Sequence, residues 1–288
     1  MGRPGTLAAA LALAGLFCAP ATAGDPPARV MSTNVCTDQL ALLLARPGQL
    51  VSVSVNAGDP RLSALHERAA GIALNTGRAE EVFLLHPDLV VAADYSLHGL
   101  SGFVRRSGIA LEEFSFASTI DQVPADLRRM GVVLGNADEG EHLASAFEAR
   151  HRELQSTACA KRPTALMRGQ NGIVQGAGTI AGSALEAAGF ENIAATLGYQ
   201  GMTPFPLERL VAARPDVIIL SERFDDSAAS LADAAIDHPA LAGLRVLSIE
   251  TIATRGALTC AAPMVLDVAE ALSRWRRANF PCAEGEGS

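Results

Sequence analysis

Aromatic residues are scarce in this chain: one Trp, two Tyr and 10 Phe bring the aromatic share to 5%. Whatever core it builds must therefore be aliphatic. An excess of base is also missing, since 23 Lys and Arg face 31 Asp and Glu for a net charge of −8. Such a surface repels phosphate backbones and offers no basic patch to a lipid headgroup, which argues against nucleic acid and membrane as partners. No segment beyond the N-terminal stretch reaches the roughly 18 uninterrupted apolar residues of a membrane-spanning helix. Histidines stand at 66, 86, 98, 142, 151 and 238 without H-E-x-x-H or any His/Cys ligand spacing, and no G-x-S-x-G elbow occurs. Those absences count against naked-metal capture and against hydrolysis. They leave a free zinc or manganese carrier, a periplasmic ligand sensor and a hydrolase as the alternatives to the reading below.

What remains is 288 residues, 49% of them apolar and 19% charged, enough for one large domain or two modest ones. Arg3 followed by an apolar run over 7–17 and the small-x-small triplet Ala21-Thr22-Ala23 reads as a cleaved signal peptide over 1–23. Cys18 follows the bulky Phe17, an unfavourable context for lipid attachment. Export to the periplasm is expected. The mature chain then keeps Cys36, Cys159, Cys260 and Cys282, an even set in an oxidising compartment. Cys159 and Cys282 flank the C-terminal half and are expected to pair. Cys36 and Cys260 each precede an apolar helical run, and either form a second bridge or stay as thiols beside a ligand.

Short β-like runs alternate with helical stretches, the rhythm of βαβ units. Strands are expected over 29–33, 50–54, 88–92, 110–114, 164–167, 172–175, 216–220 and 245–249. Helices are expected over 38–45 with Thr37 as N-cap, then over 80–85, 97–107, 120–134, 180–188, 207–213 and 264–278, the last enclosing Trp275 as a core residue. The most informative element runs from 138 to about 158, with no Pro and with Leu143, Phe147, Arg150 and Leu154 at helical spacing. A helix of that length spans about 30 Å, and Pro163 halts propagation beyond it.

The segments on either side of this rod resemble each other. Glu80 begins a helix that ends at Pro87-Asp88 before Leu89-Val90-Val91. Glu208 begins another that ends at Pro215-Asp216 before Val217-Ile218-Ile219, and glutamate and proline recur at a constant offset of 128 positions. One such unit is ordinary turn chemistry, whereas two at a fixed offset indicate a duplicated α/β lobe.

With these paired E-x6-P-D segments, the long helix and the opening Ser32-Thr33-Asn34-Val35-Cys36-Thr37-Asp38-Gln39-Leu40, the chain resembles the class III periplasmic binding proteins. These serve importers of ferric siderophores, haem and vitamin B12. The resemblance implies an α/β fold of two Rossmann-like lobes joined by one long helix, with the ligand cleft between lobes: a first lobe over 24–137, a connector over 138–160 and a second lobe over 161–288. It implies limited hinge motion, a monomer without catalytic activity or cofactor of its own, and an inner-membrane ABC permease as partner. By motif position, Glu80 and Glu208 become the acidic docking residues that face permease arginines, two carboxylates held apart as a ruler.

A cleft at the carboxyl ends of strands draws its contacts from the loops there. In the first lobe these loops carry Asn34, Cys36, Thr37, Asn56 and Asn75, then Tyr95 and His98. In the second they carry Arg168, Gln170 and Gln175, then Tyr199, Met202 and Phe205, and finally Arg223 and Arg255. Arginines suit an anionic chelate and the rings suit a planar one. The resemblance thus implies a metal-chelate small molecule as ligand, with iron or cobalt belonging to the ligand. The sole tryptophan lies outside the cleft loops, which counts against cobalamin, and few aromatics with several cleft arginines favour a ferric siderophore over haem or cobalamin. The stretch Gly176-Ala177-Gly178-Thr179-Ile180-Ala181 fits G-x-G-x-x-A, but no acidic strand end follows at dinucleotide spacing. Its glycines are expected to serve a tight turn and close backbone approach.

Overall fold

The computed structural model describes residues 25–94, 98–115, 119–221, 238–253 and 256–282. The expected signal peptide over 1–23, with Cys18, lies outside the described residues, as do Tyr95, Arg223 and Arg255.

The first sheet contains β1 (Val30–Ser32), β2 (Leu50–Ser54), β3 (Ala73–Asn75), β4 (Leu89–Ala93) and β5 (Ala110–Phe114), in the order β3-β2-β1-β4-β5. All four pairings are parallel. Its helices are α1 (Val35–Leu44), α2 (Ala79–Leu85), α3 (His98–Arg106) and α4 (Val123–Val133). Every residue of β4 is buried, as a continuous apolar strand covered on both faces requires. Its side chains alternate between two clusters. Leu89 and Val91 join Val30, Leu40 and Leu127, while Val90 joins Met31, Leu100 and Val104.

The connector α5 (Ala137–Ser156) buries Gly140, Ala144, Phe147 and Leu154 along one face. It crosses α4 where Gly131 meets Gly140, and a Cβ added at Gly131 would lie 2.8 Å from the Gly140 Cα. Only glycine permits that approach. The helix ends sooner than the spacing suggested, because the Thr157 hydroxyl turns back to the Leu154 carbonyl at 2.7 Å.

The second sheet contains β6 (Thr164–Arg168), β7 (Ile173–Gln175), β8 (Glu191–Asn192), β9 (Met202–Pro204), β10 (Val217–Leu220) and β11 (Arg245–Ser248). Its main path is β11-β10-β6-β7-β9, with β8 beside β6. Here β7 runs antiparallel to both β6 and β9, so a hairpin replaces one crossover. The helices are α6 (Ile180–Ala187), α7 (Ile193–Thr196), α8 (Leu207–Ala213) and α9 (Val265–Asn279). Among the described residues no helix is long and apolar enough to cross a membrane.

The duplicated motif folds the same way twice. His86 closes α2 at φ 46° and Arg214 closes α8 at φ 41°, each in the left-handed region just before its proline. The aspartate after the proline then clamps the start of the neighbouring strand. Asp88 accepts from the Ala28 and Arg29 backbone N–H groups ahead of β1, and Asp216 accepts from the Thr164 N–H and hydroxyl at β6.

Two disulfides close the chain on itself, Cys36–Cys260 and Cys159–Cys282, with Cα–Cα separations of 5.2 and 5.4 Å. Beside the second lies Arg276, fully buried. Its guanidinium donates to the Ala188 carbonyl at 3.0 Å and the Thr157 carbonyl at 2.6 Å, at the C-terminal ends of α6 and α5 where the macrodipole favours a cation. Burial, with Arg277 and Arg162 nearby, pulls its pKa below the ordinary arginine value. Arg276→Met keeps the apolar stem and orphans both carbonyls. Urea denaturation should show a loss of about 2–4 kcal/mol.

Candidate ligand cleft and lobe tips

In an open parallel sheet, the crevice at the strand carboxyl ends opens where the strand order reverses. In the first sheet that point lies between β1 and β4. Asn34 sits just past β1 and accepts the Cys36 N–H at 2.9 Å as the N-cap of α1. It takes the role expected of Thr37, which lies one turn inside the helix. Thr37 is buried, donating to the Asn34 carbonyl and sharing a hydrogen bond with Ser32. Asn56 is exposed in the 3-10 turn Val55–Gly58 that follows β2.

Beneath this rim lies a polar network that sequence reading missed. Asn75, assigned above to the ligand, is instead buried, donating to the Ser32 carbonyl at 2.8 Å and the Ser52 hydroxyl at 2.8 Å while accepting from Gly77. Asp38, wholly buried, takes the Ser54 N–H and hydroxyl. Burial pushes its pKa up to about 6, with hydrogen bonds from Ser32 and Ser54 pulling the other way. The neighbouring Gln39 amide is buried with no hydrogen-bond partner on either atom among the described residues. Only the Ser/Thr/Asn density of 32–37, 52–54 and 75 hinted at such a network.

In the second lobe the β6–β7 hairpin places Gln170 at its turn, in the segment Gln170–Gly172. Gln175 and Met202 face each other across β7 and β9, and Met202 is 72% exposed. Tyr199 and Phe205 meet as tilted rings with centroids 5.0 Å apart, but Phe205 is buried in an aliphatic cluster with Leu166 and Ile218, so it supports the wall instead of lining it. Arg168, expected to meet an anion, is only 4% exposed at the end of β6. His98 opens α3. Cys36 is held in its disulfide to Cys260 and is unavailable as a thiol. Asn34 and Asn56 follow the carboxyl ends of β1 and β2, and Gln170 follows that of β6, whereas Gln175 and Met202 pair at the end of β7 and the start of β9, set back toward the amino end of β6. The glycine-rich turn is packing, since a Cβ on Gly176 would strike the Tyr199 carbonyl.

A separate hollow of about 410 Å³ lies at the seam of the lobes among Ile120, Asp121, His151, Arg162, Ser183 and Glu186. None of the expected ligand residues lines it. No group of three or more His, Cys, Asp or Glu side chains able to hold a metal ion occurs among the described residues.

Both motif glutamates stand in the first turn of a helix running back from the cleft end of its sheet, α2 toward β4 and α8 toward β10, and both are exposed. Glu81 beside Glu80 is committed to structure, accepting the backbone N–H groups of Thr76 and Arg78. Among the described residues neither Glu80 nor Glu208 forms an ion pair.

Two mainly parallel sheets joined by a helix, with amide-bearing loops at strand carboxyl ends in each, define the fold of a two-lobed solute receptor. The sequence profile of the periplasmic binding proteins matches residues 30–247, and the chain belongs to that family, within its class III. A cobalamin-binding protein of Halobacterium salinarum is 26% identical over 219 residues, which is 73% of this chain and 59% of that one. The chain thus spans less than two thirds of this relative. Among solved structures, the haem-binding protein HutB of Vibrio cholerae superposes with a TM-score of 0.71 at 18% identity, covering 88% of this chain and 99% of HutB. The vitamin B12-binding protein BtuF of Vibrio cholerae gives 0.68 at 18% identity, covering 89% and 99%. The haem-binding protein RhuT of Roseiflexus sp. RS-1, in apo form, gives 0.67 at 23% identity, covering 85% and 98%. At these identities the likeness is one of fold.

Asp38 makes a pH prediction. A carboxyl whose folded pKa is raised from 3.8 to about 6 favours the folded state at low pH, an advantage lost as pH rises through 6. Asp38→Asn removes the burial penalty, and the serine hydroxyls can accept from the new amide. At pH 7.5 the variant should gain up to about 3 kcal/mol, and at pH 4 almost nothing. Urea melts at the two pH values measure this; a loss at both would show that the carboxylate's hydrogen bonds outweigh its burial.

Proposed function

We propose that this chain is the substrate-binding component of an ABC importer for a metal chelate, and that a cobalt corrinoid is its preferred class of ligand. The observation that carries the ligand class is the set of neutral amide side chains just past the strand carboxyl ends, Asn34 and Asn56 in the first lobe and Gln170 in the second. Primary amides pair with the amide periphery of a corrin as both donors and acceptors. The siderophore preference rested on cleft arginines, and burial of Arg168 removes one of the three. The cobalamin-binding relative supports the same choice. The ligand is bound without chemical change and passed on in the periplasm. Glu80 and Glu208 then serve as the two acidic contacts that set the receptor on its permease.

Absorbance titration of the purified protein tests the ligand. Cyanocobalamin should saturate with a Kd of about 1 µM or tighter, with hemin and ferric siderophores at least about tenfold weaker. Asn56→Ala with Gln170→Ala should weaken cyanocobalamin by about tenfold or more, at unchanged thermal stability. A preference for hemin or a siderophore would replace the corrinoid and leave the receptor reading standing. The Glu80→Arg/Glu208→Arg double variant should bind ligand normally and fail to stimulate transport.

A further inference from the structure

The helix that carries Glu80 also displays apolar side chains that the fold does not use. Val82 is fully buried and Leu85 partly, so they fix the inward face of α2. Glu80, Phe83 and Leu84 stand at i, i+3 and i+4 on the other side, which makes them neighbours on one helical face. Phe83 is 67% exposed and Leu84 is 76% exposed, with the Phe83 ring edged against His86 at 5.6 Å between centroids. The second lobe lacks this arrangement. At the matching offset from Glu208 stand Val211, half-buried, and Ala212. The two tips thus share their acid and differ in their apolar flank.

Resting on the docking role of Glu80 proposed above, we infer that Glu80, Phe83 and Leu84 form one mixed contact face for the importer's membrane-spanning subunit. On this basis the first lobe makes the stronger of the two docking contacts. The chemistry selects the partner. A lone carboxylate between two convex apolar side chains is complemented by a cation set beside an apolar hollow, where water can be excluded around the pair. A second copy of this chain would bring Glu80 against Glu80 across a two-fold axis, like charge on like. An anionic lipid surface repels the same carboxylate on a chain of net charge −8. A permease surface bearing arginine or lysine meets both demands.

The test uses the full chain in its native cells, with the photo-reactive benzoylphenylalanine placed at position 83 and, separately, at 211. Adducts are identified by mass spectrometry. Position 83 should yield an adduct with a multi-spanning permease subunit, several-fold more abundant than from 211. Leu84→Ser should lower that yield about tenfold while leaving the circular dichroism of the purified protein unchanged. Equal yields from both positions, an adduct only with another copy of this chain, or an insensitive yield in Leu84→Ser overturns the inference. A permease adduct from 211 but not from 83 overturns it and leaves the docking reading intact. Absence of permease adducts from both positions defeats the docking reading as well.

Discussion

Behind the cleft a single aliphatic core crosses from one lobe to the other, and the position of every loop at the strand ends follows from it. Val30, Leu89 and Val91 of the first sheet, Leu127 and Met130 of α4, Ala144 and Phe147 of α5, Ala184 and Ala187 of α6, and Val265 and Leu266 of α9 belong to one buried cluster. Because interiors pack close to crystal density, such a cluster resists shear between the bodies that share it. The Ile120 N–H donates across the seam to the Ser183 hydroxyl at 3.0 Å, and Cys36–Cys260 adds a covalent tie near the base of the cleft. A receptor of this build presents a nearly preformed cleft. Its affinity is then set by the loops more than by the work of closing.

The same rigidity bears on the docking role proposed for the tips. A pair of carboxylates reports the distance between two lobes only if that distance is fixed, and here the Asp88 and Asp216 clamps repeat one local solution on each side of α5. Helix, left-handed cap, proline, aspartate and strand form a cassette in which the aspartate pins the adjacent parallel strand. The glutamate seven residues before the proline is thereby placed at the cleft end. The two copies share that scaffold. What diverged lies on its outer face, where Phe83 and Leu84 stand in one copy and Val211 and Ala212 in the other.

The scaffold was legible in the chain because it is written in local terms: the alternation of β2, the all-apolar β4, the proline stops, and the E-x6-P-D repeat. The boundaries of β2, β5 and α8 follow directly from the pattern. The site was less legible. Asn34, Thr37 and Asn75 look equivalent in sequence, yet one caps a helix and two are turned inward by partners at Ser32 and Ser52, up to 43 positions away. Nothing local distinguishes them. Phe205 and Met202 lie three residues apart, and packing against Leu166 and Ile218 buries the ring while Met202 stays exposed at the edge of the sheet. The antiparallel hairpin itself escaped notice because β7 and β9 span only three residues each.

The electrostatics of the first lobe bear on the ligand in the same way. Asp38 lies wholly buried beneath the Asn34–Asn56 rim, and with a pKa of about 6 it is largely ionised at neutral pH. A buried carboxylate at the base of a low-dielectric cleft projects negative potential outward, poorly screened by salt. That potential opposes an anionic chelate and is indifferent to a neutral one. Arg168, also buried at the end of β6, is the cation best placed by sequence to offset part of that potential. On the corrinoid reading proposed above, an amide-fringed cobalt ligand brings less charge into this cleft than a polyanionic ferric complex. Its recognition then falls to hydrogen-bond geometry, the property that a rigid, shared core is suited to hold.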